Sequence, residues 1–151
     1  MTDLTWITPR IAVGGGIWNA DNMAAIAMLG VTHIINMQVE FDERSLAAPH
    51  EIEVLWNPVD DDFQPKPPEI FEQGVNFALE ALRLPTARLY VHCAAGVHRG
   101  PTMTLAILCA SGWSLAEAKR EIQSRRPVVD WAEVYLRSVE DFLRDYAPAE
   151  K

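Results

Sequence analysis

His92-Cys93-Ala94-Ala95-Gly96-Val97-His98-Arg99-Gly100-Pro101-Thr102 is the stretch on which the fold turns. Just upstream, residues 88–92 form a short apolar run of β-forming residues, which predicts a strand. Just downstream, residues 102–111 are apolar on most sides, which predicts a buried helix. A strand, a loop of small residues and a helix N-terminus together make an anion site. Loop amides can converge on one point, and the helix dipole adds positive potential there. The same field favours the thiolate of Cys93 at the start of the loop. The planar fork of Arg99 can hold two oxygens of one phosphate, which a lysine cannot do. Gly96 admits a turn that a side chain would hinder. Pro101 suits the first turn of a helix, where a missing N–H costs nothing.

Away from this stretch the chain alternates between strand and helix patterns. Residues 10–13 read as a strand stopped by Gly14, Gly15 and Gly16. A helix is expected over residues 23–29, capped by Asp21 or Asn22 and ended by Gly30. Strands are expected over residues 31–37 and 51–57, the second ended by Pro58. Residues 60–68 are acidic and proline-rich, hence a loop. Apolar residues recur at helical spacing over residues 69–84. Ser114 with Glu117 three residues on is a capping box, and residues 131–146 form the last expected helix. The alternation predicts an α/β fold: residues 1–151 as a single domain with a central, mostly parallel sheet flanked by helices.

Composition narrows the function. Hydrophobic residues at 49% and charged residues at 23% match an ordinary globular chain and argue against disorder. A net charge of −8 disfavours nucleic acid as a partner, because its backbone is gripped by excess Lys and Arg. It does not disfavour a single phosphate held by local amides and one arginine. No apolar run is long enough to span a bilayer and no secretory signal opens the chain, so no membrane association and a cytoplasmic location are expected. The two cysteines, Cys93 and Cys109, fit that reading. A monomer is expected.

Cys-x5-Arg, preceded by His92 and with Gly96 inside, resembles the signature of the protein tyrosine phosphatase superfamily. The rest of the chain resembles its dual-specificity branch. Ile7-Thr8-Pro9-Arg10-Ile11-Ala12-Val13-Gly14 is similar to that branch's first strand, and Gly30-Val31-Thr32-His33-Ile34-Ile35-Asn36 to a later one. Pro58-Val59-Asp60-Asp61 resembles its acid loop, and Ser114-Leu115-Ala116-Glu117-Ala118 with Arg126-Pro127 its late helices. The resemblance implies a phosphomonoester hydrolase. Cys93 would be the nucleophile forming a phosphocysteine, and Arg99 the phosphate clamp. Amides from Ala94, Ala95, Gly96, Val97, His98 and Arg99 would cradle the phosphate, and His92 would support the thiolate. The leaving group also needs a proton. Family members place that acid third after the loop proline, which here is Asp61, 32 residues before Cys93. Asp60 is the alternative. No cofactor and no metal are implied.

Two departures stand out. The family usually has Ser or Thr after the arginine, and this chain has Gly100. That hydroxyl helps the cysteine sulfur leave, so slower breakdown of the phosphoenzyme is expected here. The second is Val128-Val129-Asp130-Trp131, where relatives carry an Asn; its supporting role cannot pass to Asp130. The loop positions Ala94, Ala95, Val97 and His98 include no Lys or Arg, so a phosphoprotein is favoured over a polyphosphorylated lipid headgroup. A glucan phosphatase, a lipid phosphatase and a weakly active phosphate-binding pseudophosphatase remain as alternatives.

Other conspicuous residues have plainer readings. Cys109 reads as core, His33 as a structural strand residue, and Arg125-Arg126 as a charged helix end. The Asp60-Asp61-Asp62 run ranks first as proton donor, then as solvated loop, and last as metal ligand. Trp18, Phe63 and Trp131 are candidates for the rim of the site, although tryptophan is more often packing.

Overall fold

The computed structural model describes residues 2–146. Five strands form one sheet in the order β1-β2-β5-β3-β4. They are β1 (Leu4–Thr8), β2 (Ile11–Gly14), β3 (His33–Gln38), β4 (Glu53–Val59) and β5 (Leu89–His92). Only β1 runs antiparallel, as a hairpin arm on β2; the other three pairings are parallel. The expected α/β layer architecture is therefore the one observed.

Central strands covered on both faces need apolar residues pointing both ways, and β5 has them. Leu89 and Val91 face one core, and Tyr90 faces the other. Helices α3 (Pro68–Ala81), α4 (Arg99–Ala110), α5 (Leu115–Arg125) and α6 (Glu133–Asp145) cover the first face. Helix α1 (Ala20–Met28) and the short α2 (Arg44–Ala47) cover the second. Full burial of a side chain such as Ile35 or Val91 stabilises the fold by about 1.5–3 kcal/mol. Among the described residues no helix is long and apolar enough to cross a membrane.

Several element ends differ from the sequence expectation. Helix α1 is capped by Asn19, whose side chain accepts from the Asn22 amide at 2.9 Å, rather than by Asp21 or Asn22. Strand β4 continues through Pro58 to Val59 because it lies at the sheet edge, where a missing N–H is tolerated. Helix α4 begins at Arg99, so the loop of residues 93–98 runs directly into it, and the Thr102 amide closes its first turn on the His98 carbonyl at 3.0 Å. Helix α6 begins at Glu133, after Trp131. Strand β1 and the helical turn over α2 and Ala48–His50 are additions, and the Ser114–Glu117 capping box is present as expected.

Candidate active site

Residues 93–98 link the C-terminal end of β5 to α4. Parallel α/β sheets leave their binding crevice at that end of the strands. The loop's carbonyls are held from outside. The Gly16 amide takes Ala94 O at 3.0 Å, and the Asp130 amide takes Val97 O at 3.1 Å. Arg126 donates to Gly96 O at 2.8 Å and to Ala95 O at 3.3 Å. In a trans peptide the N–H points opposite the preceding C=O. Anchoring the carbonyls of residues 94–97 outward therefore turns the amides of residues 95–98 inward. The Gly96 amide shows this directly, donating to Cys93 Sγ at 3.3 Å. Gly96 has φ +69°, which favours glycine. Cys93 lies at the floor of this cradle, 2% exposed.

Arg99 is only 6% exposed and its guanidinium is half committed. Nη1 donates to Glu40 Oε1 at 2.9 Å and to Val59 O at 3.0 Å, and Nη2 donates to Glu40 Oε2 at 2.9 Å. Nε is buried without a partner. Of five donors, the Nε–H and one Nη2–H on the same edge are thus uncommitted, and that edge matches two oxygens of a phosphate. Burial alone would lower the Arg99 pKa, but Glu40, Cys93 and Asp61 outweigh it and raise it. The Glu40 carboxyl is held below its ordinary value by the hydrogen bonds from Arg99.

His92 is fully buried against Glu43, itself fully buried. Its Nε2 bonds the Glu43 carboxylate, its Nδ1 faces the Cys93 carbonyl at 3.3 Å, and Asn36 donates to Glu43 Oε2 at 2.6 Å. The ring is therefore fixed beside the Cys93 backbone.

The loop after β4 lies over this cradle. Asp61 Oδ2 is 3.0 Å from His98 Nδ1, and Tyr135 donates its hydroxyl to Asp61 Oδ1 at 2.9 Å. Asp62 is turned away onto Lys66, with a 2.5 Å contact. Asp61 is thus the member of the acid run that touches the loop of residues 93–98. Phe63, also at positive φ (57°), stacks on Tyr135 and meets His98 in a T-shaped contact, and its amide donates to the Tyr135 hydroxyl. Burial pushes the Tyr135 hydroxyl up to about 12, with the neighbouring Asp61 adding to the shift.

Gly100 occupies the first turn of α4, and the Thr102 hydroxyl is committed to the His98 carbonyl at 2.6 Å. Trp18, beside Phe41, and Phe63 are half exposed, whereas Trp131 packs against the helical core and is not brought to the rim. Cys109 lies apart, its thiol raised to about 11 by burial.

Arg126 is a correction. Expected as part of a charged helix end, it is 5% exposed and ties Gly96 and Ala95 to Asp3 and Thr5 of the N-terminal arm. Glu40, Glu43, Asn36 and Tyr135 were also missed as site residues. Glu43, Glu40 and Tyr135 meet partners from 49 to 74 residues away in sequence and no local pattern marks them, whereas Asn36 lies within the resembling strand and meets Glu43 seven residues on.

The sequence pattern of the dual specificity phosphatase catalytic domain matches residues 17–145. The chain is 30% identical over 141 residues, 90% of its length, to protein phosphatase Slingshot homolog 3 of Rattus norvegicus, and covers 20% of that protein. It is 29% identical over 116 residues, 76% of its length, to dual specificity protein phosphatase 5 of the same species, covering 29% of it. The chain thus spans less than a third of the length of these curated relatives. Among solved structures, Tk-PTP in its active form superposes with TM-score 0.82 at 19% identity, covering 95% of this chain and 98% of that one. PTPMT1 in complex with PI(5)P superposes with TM-score 0.82 at 23% identity, covering 94% and 95%.

Proposed function

The chain belongs to the dual specificity phosphatase catalytic domain family, and from that premise we propose that it hydrolyses phosphomonoesters through a phosphocysteine at Cys93. The observation that carries the reading is the grouping of Cys93 Sγ, which accepts from the Gly96 amide in a loop whose carbonyls are held outward, with Arg99, whose buried Nε is unpartnered and whose charge feels Cys93. A phosphate seated there would present phosphorus to the sulfur, with its equatorial oxygens on amides and guanidinium. Sulfur attacks phosphorus, the P–O bond breaks with its electron pair staying on the leaving oxygen, and Asp61 supplies that oxygen with a proton. Asp61 then takes a proton from water as the water displaces sulfur and releases phosphate.

The favoured substrate carries a single phosphate, as phosphotyrosine, phosphoserine or phosphothreonine in a protein. The loop side chains Ala94, Ala95 and Val97 are neutral. Carboxylates of Glu40, Asp61 and Asp130 stand around the opening. A second phosphate on the same substrate would meet those charges. Gly100 supports one further reading, a protein that binds phosphate and turns it over slowly.

Turnover of a small aryl phosphate, measured from mildly acidic to neutral pH, tests the proposal. Cys93→Ser is expected to abolish it, and Asp61→Asn to lower it about 100-fold. Turnover that survives Cys93→Ser rejects the mechanism. Tight vanadate binding without turnover selects the phosphate-binding reading.

A further inference from the structure

His98 stands between two carboxylates. Its Nδ1 is 3.0 Å from Asp61 Oδ2 and its Nε2 is 3.0 Å from Asp130 Oδ2. A carboxylate can only accept, and a neutral imidazole has only one N–H. Both contacts are satisfied together only if one extra proton resides on the chain of three groups. Three arrangements carry that proton: an imidazolium between two carboxylates, a neutral Asp61 donating to Nδ1 while Nε2–H donates to Asp130, or the mirror of this with Asp130 neutral. Asp61, 30% exposed against 70% for Asp130, is the carboxyl that loses less hydration as the neutral acid.

Resting on the phosphatase reading above, we infer that His98, oriented by Asp130, is a positioning residue that keeps a transferable proton on Asp61. The scaffold around the ring is fixed. The Asp130 amide is bonded to Val97 O at 3.1 Å, so the backbone that carries the carboxylate is anchored one residue from the ring it orients. Phe63 packs on the ring in a T-shaped contact at 5.1 Å between centroids. The groups facing His98 are Asp61 from the β4–α3 loop, Asp130 from the α5–α6 turn and, through Asp61, Tyr135 of α6. Arg99 follows it at the start of α4, with Cys93 at the other end of the loop, and Lys66 is drawn to Asp62 beside Tyr135.

The chemistry follows from the tautomer. With Nε2–H committed to Asp130, Nδ1 presents a lone pair to Asp61. When Asp61 gives its proton to the leaving oxygen, its new carboxylate faces that lone pair, acceptor against acceptor. The clash favours recovery of a proton from the attacking water in the second step. Loss of the Asp130 charge frees the ring to turn its N–H toward Asp61, which stabilises the carboxylate, so that Asp61 carries its proton less often when substrate binds and is a weaker base toward the attacking water.

The test is kcat/KM over aryl phosphates of rising leaving-group basicity for wild type, His98→Ala, Asp130→Asn, Asp130→Glu, Asp61→Asn and the His98→Ala/Asp61→Asn double variant. The inference expects His98→Ala and Asp130→Asn to lose about tenfold on phenyl phosphate, and little on the most acidic leaving groups. Asp130→Glu should restore the loss, and the double variant should match Asp61→Asn alone. Equal losses across the series, or additive losses in the double variant, overturn it. Failure of the phosphatase reading looks different, as no Cys93-dependent turnover in the wild type. In that case imidazole 15N spectra decide. His98 signals that change in both Asp61→Asn and Asp130→Asn uphold the proton-sharing chain, and unchanged signals reject it.

Discussion

A Cβ built on Gly100 meets the Cys93 amide nitrogen and the His92 backbone at 3.4 Å, an ordinary contact distance, so the backbone accepts a side chain there. A serine hydroxyl one bond further would stand beside the nucleophile. In the proposed mechanism Gly100→Ser should therefore speed breakdown of the phosphoenzyme. Rapid mixing should show a burst of leaving group in the wild type, and the variant should show a smaller burst with a several-fold higher kcat. An unchanged burst and kcat would remove Gly100 as the cause of slow turnover. Gly96 behaves oppositely. A Cβ there lies 2.5 Å from Arg126 Nη2 and 2.6 Å from the Gly14 carbonyl carbon, and φ is already +69°. The left-handed conformation alone costs an L-residue about 1–2 kcal/mol, and the Gly14 backbone cannot move aside cheaply. Gly96→Ala should keep its secondary structure by circular dichroism yet bind vanadate at least about tenfold more weakly, since one misplaced amide forfeits a charge-assisted bond. Unchanged vanadate affinity would mean the loop does not need that turn. Both glycines, with Cys93 and Arg99, could be read from the sequence because they fall within eight consecutive residues, 93–100. The meaning of Asp130 could not, because it depends on where a turn 32 residues downstream places a carboxylate against His98.

Elements became legible in proportion to how periodic their burial is. The buried residues Phe71, Val75 and Ala78 of α3 recur at helical spacing, and the central strands are apolar on both faces, so these were readable. Strand β1 was not, because only Ile7 of its five residues is buried and no alternation marks it. The same edge arm supplies Asp3 and Thr5, whose value lies wholly in a long-range contact with Arg126 at the end of α5. Through that one guanidinium the arm, α5 and the candidate phosphate loop are joined. Five hydrogen bonds leave it in a planar fork that an ammonium cannot reproduce. Arg126→Lys, though it preserves the charge, should cost about 2 kcal/mol by leaving buried acceptors unsatisfied. Urea titration should show a lower midpoint with an unchanged slope, and vanadate affinity should fall as the Gly96 and Ala95 carbonyls lose their anchor. A wild-type midpoint in Arg126→Lys would reduce Arg126 to a surface charge.

Across the whole molecule, the perturbed groups define a pH window for stability. Glu40, Asp42, Asp62 and Glu117 all have carboxyls held below their ordinary values of 3.8–4.5. The first causes are hydrogen bonds from Arg99, Arg44 and Lys66, and the Ser114 cap of α5. Between folded and unfolded pKa the unfolded chain binds more protons, so these groups stabilise the fold above the unfolded values and lose that contribution as pH falls. On the alkaline side the shifts point the other way. Burial raises Cys109 from 9.0 to about 11 and Tyr135 from 10.0 to about 12, and lifts Tyr90 well above 10.0. Here the unfolded chain sheds its protons first, so stability is intact below the unfolded pKa and falls as pH rises toward the folded one. The melting temperature should therefore be level from about pH 5 to 9 and decline on both sides. Cys109 has the lowest unfolded value of the three alkaline groups, so it should set the onset of that decline. Cys109→Ala removes a thiol remote from Cys93 and should delay the onset from about pH 9 to about pH 10, where the tyrosines take over. An alkaline limb that starts at the same pH in Cys109→Ala would show that burial of this thiol contributes nothing to the window, and would leave the tyrosines as its sole cause.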